Sequence, residues 1–187
     1  MIKTKRDLKY YLQEDARASG RAVIRAKFFG DEIWKWQRCY RKYEYYVNVN
    51  NLVAKNIFRF LFHKHSIRNG FSIPINTIEE GLCLPHRGTV IIGKGTKIGK
   101  YCRIHEGVTI GASNGSPNSA SIGNRVFIAS GAKIIGDIKI AHDSAIGANA
   151  VIVDSIETSG KTWGGVPGRK ISENNSHSNL CYWKTDE

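Results

Sequence analysis

From position 92 to position 152 an isoleucine recurs at every sixth place: 92, 98, 104 and 110, then 122, 128, 134, 140, 146 and 152. The residue after it is small in most rungs (Gly93, Gly99, Gly111, Gly123, Ala129, Ala141, Gly147), and four places on stands a compact side chain such as Thr96, Cys102, Val108 or Val126. Neither the 3.6-residue period of a helix nor the two-residue period of an ordinary strand produces this. Six residues make one short flat strand and a turn, and three such rungs make an eighteen-residue coil of a parallel β-helix. Successive coils hydrogen-bond about 4.8 Å apart, with the isoleucines stacked as an interior ladder. The small residues read as corners, where the chain must bend tightly. Position 116, a serine, breaks the period. The polar stretch "GASNGSPNSAS" around it reads as a loop leaving the wall, the place where such a fold would carry specificity. One step back from Ile92 lies His86, an imidazole where the rhythm calls for isoleucine.

Residues 1–70 follow a different rule. "DLKYYLQEDARA" spaces Leu8, Tyr11, Leu12 and Asp15/Ala16 by three or four after Asp7, which is placed to cap. "DEIWKWQRCYRKYEYYVNV" repeats this through Ile33, Trp36, Tyr40 and Tyr43/Glu44 after Asp31, and "NNLVAKNIFRFLFHKH" through Leu52, Ile57, Phe60 and Leu61. These stripes read as helix cores or interfaces. The expected organisation is a helical segment over 1–70, a hexapeptide-repeat coil over 71–168 and a tail over 169–187, mainly β as a whole.

The charge is lopsided. Residues 1–70 carry 16 Lys/Arg against 6 Asp/Glu, and the remainder 12 against 10. No zinc spacing, RNP-like strand or basic heptad accompanies the excess, so nucleic acid is not expected as a partner. The basic helices read either as a solvated face or as a surface for peripheral contact with an anionic membrane or ligand. The chain lacks an eighteen-residue apolar run and its start lacks a signal-like apolar core, so a cytoplasmic protein is expected. Cys39, Cys83, Cys102 and Cys181 have no metal-like spacing and read as free thiols.

"GLCLPHRGTVIIGKGTKIGKYCRIHEGVTIG", "IGNRVFIASGAKIIGDIKIAHDSAIGANAVIV" and "GGVPGRK" together resemble the hexapeptide-repeat acyltransferases, in the serine acetyltransferase branch. The resemblance covers roughly residues 71–170. It implies a left-handed coil, a homotrimer with active sites between subunits, and acetyl-CoA as co-substrate with no metal required. It matches His86 to the general base that takes a proton from an acceptor hydroxyl. It places the pantetheine arm along Gly111, Ala112, Ser130, Gly131 and Ala148, and lets Arg169 and Lys170, with Lys133, meet the nucleotide phosphates.

The chain also departs from the branch. The aspartate that partners the histidine corresponds to Phe71, and the Arg-His pair that handles the amino-acid acceptor corresponds to Asn118 and Ser119. Glu106 is therefore expected to orient His86, with Glu79, Glu80 or a backbone carbonyl as alternatives. Arg87 and His105 are expected at the acceptor. Without the guanidinium a free amino acid loses its carboxylate partner, so a sugar hydroxyl of surface-polysaccharide synthesis is the expected acceptor and serine the alternative. Two other readings stand beside this: a non-catalytic trimeric scaffold, and a metal-dependent hydratase using His86, His105 and His142.

Overall fold

The computed structural model describes residues 1–21, 30–113 and 115–181. The parts of the helical segment, loop and tail at 22–29, 114 and 182–187 lie outside the described residues.

Three helices come first. Thr4 caps α1 (Lys5–Ala18) through a reciprocal box, in which Thr4 Oγ1 accepts from the Asp7 amide at 3.0 Å and Asp7 Oδ2 from the Thr4 amide at 2.9 Å. Asp7 thus closes the box from inside the first turn instead of being the cap. Asp31 precedes α2 (Glu32–Asn48) but is ion-paired to Arg21 at 2.6 Å and makes no side-chain cap bond. Asn51 caps α3 (Leu52–Asn69), which ends at Gly70 with φ +79°.

A buried ion network ties α1 and α2 to the start of the coil. Arg41 is fully buried and meets Asp15 at 2.8 Å and Glu44 at 3.0 Å, and also donates to the carbonyls of Ile78 and Glu79. Burial opposes the charge on Arg41, but the two carboxylates hold its pKa well above the ordinary value. Asp15 accepts two further bonds, from the Gly81 and Leu82 amides, both at 2.9 Å.

Helix α3 lies on α2 through Tyr46–Phe58 and Tyr43–Phe62 ring contacts, and Trp36 donates to Ser66. Its inner face is therefore the Phe58, Phe62, Ser66, Asn69 line. Leu52, Ile57 and Phe60, which the sequence suggested for packing, are 63%, 53% and 67% exposed. α3 carries apolar residues on two faces, and periodicity alone does not say which one α2 takes.

From Phe71 the chain winds into three parallel walls. The first stacks β1 (Phe71–Ser72), β2 (Val90–Ile92), β5 (Thr109–Gly111), β8 (Lys133–Ile135) and β11 (Val151–Ile152). The second stacks β3 (Lys97–Ile98), β6 (Ser121–Ile122) and β9 (Lys139–Ile140). The third stacks β4 (Arg103–Ile104), β7 (Phe127–Ile128), β10 (Ala145–Ile146) and β12 (Thr162–Gly164), with β13 (Arg169–Ser172) added antiparallel at its end. All ten repeat isoleucines are buried. The chain is not mainly β, however. The helices hold 14, 17 and 18 residues, while even the longest strand holds four, because each rung spends most of its length turning.

Pairing shows where the period is locally broken. Ile92 lies beside Ile110, eighteen residues on, but Ile110 lies beside Ile134 and Ile104 beside Ile128. The polar loop takes up one whole rung, and the register resumes unchanged. The corners differ from expectation. Tyr101, Arg125, Asp143 and Asn149 sit at φ +54° to +60°, so the bends are not reserved for small residues. Glycines such as Gly123 serve close stacking instead, since a Cβ there would come within 2.7 Å of the His142 backbone nitrogen.

Residues 169–180 fold back along the third wall: Ser176 bonds to the Arg125 carbonyl, His177 meets Asp143 at 2.6 Å, and Leu180 is buried.

Candidate active site

The site forms at the corner where the first coil passes over the second. The bridge between Cys83 and Arg103 sets Leu84, not His86, beneath Ile104. Leu84 is 4% exposed and continues the ladder, whereas His86 is exposed. From Leu84 to Ile92 is eight residues where other rungs have six, and the two extra residues fall in the Pro85–Gly88 turn. His86 therefore does not replace a core isoleucine. It stands on a widened corner, in contact with solvent. Gly88 lets that corner close on the next coil, since a Cβ there would lie 2.8 Å from Glu106 Cβ at a φ of +138°.

His86 and His105 face each other edge to face, with ring centroids 5.5 Å apart. One ligand-type atom each of His86, His105 and Glu106 lies within 4.8 Å of the others, a set that a metal ion could draw together. His105 is held from three sides. Arg103 Nε donates to its Nε2 at 3.2 Å, Phe127 packs edge-on at 5.1 Å, and Ser130 Oγ lies 3.4 Å from Nδ1. A guanidinium can only donate, so Nε2 is the acceptor and Nδ1 carries the proton. Burial, and then the Arg103 charge, hold the His105 pKa below the ordinary imidazole value. A bond from Ser130 lowers that of Glu106, which stays a carboxylate. The second oxygen of Glu106, Oε2, is buried without a hydrogen-bond partner among the described residues. No hydrogen bond to a ring nitrogen of His86 is present among them either, so Glu106 stands near the imidazole without touching it.

The other expected residues divide. Ser130 belongs to the His105–Glu106 cluster. Arg103 and Phe127 were missed. They, and the place of Ser130 beside Glu106, become visible only when the rung lost to the loop is added to the eighteen-residue step, which sets 127 on 103 and 130 on 106. Gly111 and the exposed Ala112 leave backbone open, with only Ile135 Cδ1 near a Cβ at Gly111, at 4.0 Å. Ala148 is exposed, but Gly131 is pressed against Asn149, as coil stacking requires. Arg169 lies 3.7 Å from Asp154, and Lys170 2.7 Å from Glu173. Both stand on β13, four strand spacings or roughly 19 Å from β4. Lys133 donates to the Gly107 carbonyl.

Arg87 is exposed beside His86. It lines a cleft of about 260 Å³ with Pro85, Arg21, Asp31 and Glu32, and has no ion-pair partner among the described residues. Glu80 is tied to Lys100 at 2.9 Å, and Phe71 is core, edge-on to Trp36. Ser119 is buried against Thr96, and Asn118 bonds to Asp137. His142 Nδ1 accepts from the Asn124 amide, so the three-histidine set of the hydratase reading is not brought together.

Coils of hexapeptide rungs, with an exposed imidazole at the first corner, define a hexapeptide-repeat protein. The bacterial transferase hexapeptide family matches residues 119–154. The serine acetyltransferase of Mycobacterium tuberculosis is 36% identical over 143 residues, which cover 75% of this chain and 56% of that protein. That of Staphylococcus epidermidis is 30% identical over 192 residues, covering 96% of this chain and 86% of that protein. The crystal structure of the Brucella abortus serine acetyltransferase shares the fold, with a TM-score of 0.70 at 22% identity over 92% of this chain and 72% of that one. The chain belongs to the hexapeptide-repeat acyltransferases, in the serine acetyltransferase branch. It spans about half the length of the first relatives it matches, with 56%, 47% and 57% of the mycobacterial, Synechococcus and Helicobacter proteins. These names overturn the expectation of a sugar acceptor in surface-polysaccharide synthesis.

Proposed function

We propose that the chain is an acetyl-CoA-dependent serine O-acetyltransferase, working as a trimer of left-handed coils with His86 as its general base. The observation that carries this is the solvent-facing imidazole of His86 beside the held His105–Ser130–Glu106 cluster, within a family whose relatives are named for that reaction. A serine hydroxyl is a weak nucleophile until a base within hydrogen-bond reach takes its proton during attack. In this reading His86 accepts that proton as the oxygen bonds to the thioester carbonyl carbon. The carbon–sulfur bond then breaks, and the imidazolium returns the proton to the departing thiolate, so no acyl-enzyme is needed. Glu106 faces the imidazolium with a carboxylate whose second oxygen has no hydrogen-bond partner among the described residues, which favours the charged form when it develops. His105 is neutral and proton-bearing at Nδ1, and adds no positive charge to oppose it. Arg87, one residue along from the base, lines the adjoining cleft without an ion-pair partner among the described residues, and in this reading it is the guanidinium offered to the serine carboxylate. The open backbone at Gly111 and Ala112 suits a pantetheine arm.

The test is release of CoA thiol from acetyl-CoA with L-serine. The full chain turns over, and His86→Ala loses about 10²–10⁴-fold in rate while keeping its far-ultraviolet dichroism. A chain inert toward serine, or a His86→Ala variant of undiminished rate, refutes the reading.

A further inference from the structure

Helix α3 is amphipathic twice over. Its inner line, Phe58, Phe62, Ser66 and Asn69, is used against α2. A second apolar line runs along the outside, where Val53, Ile57, Phe60 and Ile67 are 74%, 53%, 67% and 70% exposed. Their steps of four, three and seven keep them on one side of the helix, over roughly 21 Å. Next to this line, Phe60 joins Tyr43, Arg59, Phe62 and His63 around a groove of about 420 Å³. Among the described residues nothing covers this line.

The charges on the same helix all have one sign. α3 holds Lys55, Arg59, Lys64 and Arg68 and no Asp or Glu. Arg68 meets Glu32 at 3.4 Å, while Lys55, Arg59 and Lys64 have no ion-pair partner among the described residues. Another copy of this helix is a poor occupant, because α3 against α3, about a two-fold axis or about the three-fold axis of the proposed trimer, brings the basic groups together. An anionic lipid surface suits both features: apolar side chains enter the headgroup boundary and lysine and arginine meet the phosphates. No described helix is long and apolar enough to cross a membrane, so α3 would lie on the surface and not span it.

We propose that the outward face of α3, Val53, Ile57, Phe60 and Ile67 with Lys64 among them and Arg59 and Arg68 to its sides, docks this protein on anionic membrane. The inference does not depend on the acceptor assigned above.

The test is co-sedimentation of the full chain with vesicles of phosphatidylglycerol and phosphatidylcholine, against vesicles of phosphatidylcholine alone. Binding is expected to the mixed vesicles only, and to weaken as salt is raised. Ile57→Ser with Phe60→Ser lowers affinity at least about tenfold. Lys64→Glu lowers it roughly 25-fold, at about fivefold per unit charge. All three residues are exposed, so both variants keep the dichroism of the parent, and should the double variant misfold, Lys64→Glu reads the same surface. Equal binding to neutral vesicles, no binding to anionic ones, or variants that bind like the parent overturn the proposal. A smaller assembly on sedimentation velocity for the Ile57→Ser/Phe60→Ser protein, without lipid, overturns it in favour of contact between copies.

Discussion

Replacing Asp15 by asparagine tests how the helices hold the coil. The carboxylate is fully buried and accepts four hydrogen bonds: from Arg41 Nε at 2.8 Å and Nη2 at 3.2 Å, and from the Gly81 and Leu82 amides at 2.9 Å. Asparagine is isosteric and keeps one oxygen, so the two backbone amides and Nη2, all served by Oδ1, can stay satisfied. What it loses is the charge, and it turns an NH2 group toward Arg41 Nε. The guanidinium, itself fully buried, is left with Glu44 and two carbonyls. Breaking a buried pair from one side costs about 3–5 kcal/mol. For a chain of this size each kcal/mol moves the melting temperature by about 2–4 °C, so a fall of roughly 6–20 °C is expected. Thermal melts followed by far-ultraviolet dichroism measure it. Arg41→Lys keeps the charge but loses the fork and should fall part of the way. A shift under about 2 °C for Asp15→Asn would mean that the network contributes little, and that the helices are held by apolar packing alone.

Two further outcomes follow from the corner at His86. Leu84 fills the ladder and His86 does not, so Leu84→Ala should cost about 2–5 kcal/mol and His86→Ala under about 0.5 kcal/mol, read from the same melts. The reverse order would restore His86 to the core. Because burial makes the folded His105 bind its proton less tightly than an ordinary imidazole, its contribution to stability is complete above the ordinary imidazole pKa and lost as pH falls below it. The melting temperature should therefore drop more between pH 7 and pH 5 in the parent than in His105→Gln, and parallel curves would show that His105 is not held neutral.

Much of this was legible beforehand because the hexapeptide period is local. Each isoleucine reports its own rung, and ten in phase leave one way to bury them. Interruptions are harder to read. The loop around position 116 was visible as a missing isoleucine, but that it consumed one whole rung, setting Phe127 on Arg103 and Ser130 on Glu106, follows only from strand pairing. The corner at Pro85–Gly88 misled for the same reason. Counting back from Ile92 in sixes lands on His86, and only the Cys83–Arg103 bridge reveals two extra residues and hands the ladder to Leu84. Phe71, Asn118 and Ser119, singled out as departures from the branch, lie in the core and in the loop. They did not identify an acceptor, because the absence of one familiar guanidinium says nothing of what another, such as Arg87, can reach.

Periodicity along the chain determined the coil, its three walls and the helical segment before it, since burial of a repeating apolar residue is a property of neighbours in sequence. Tertiary structure decided which apolar face of α3 is covered, which imidazole is held and which faces solvent, and how Asp15 and Arg41 meet across 26 positions. Those contacts join residues with no common period, and their energies depend on distance and desolvation, which exist only once the elements are packed.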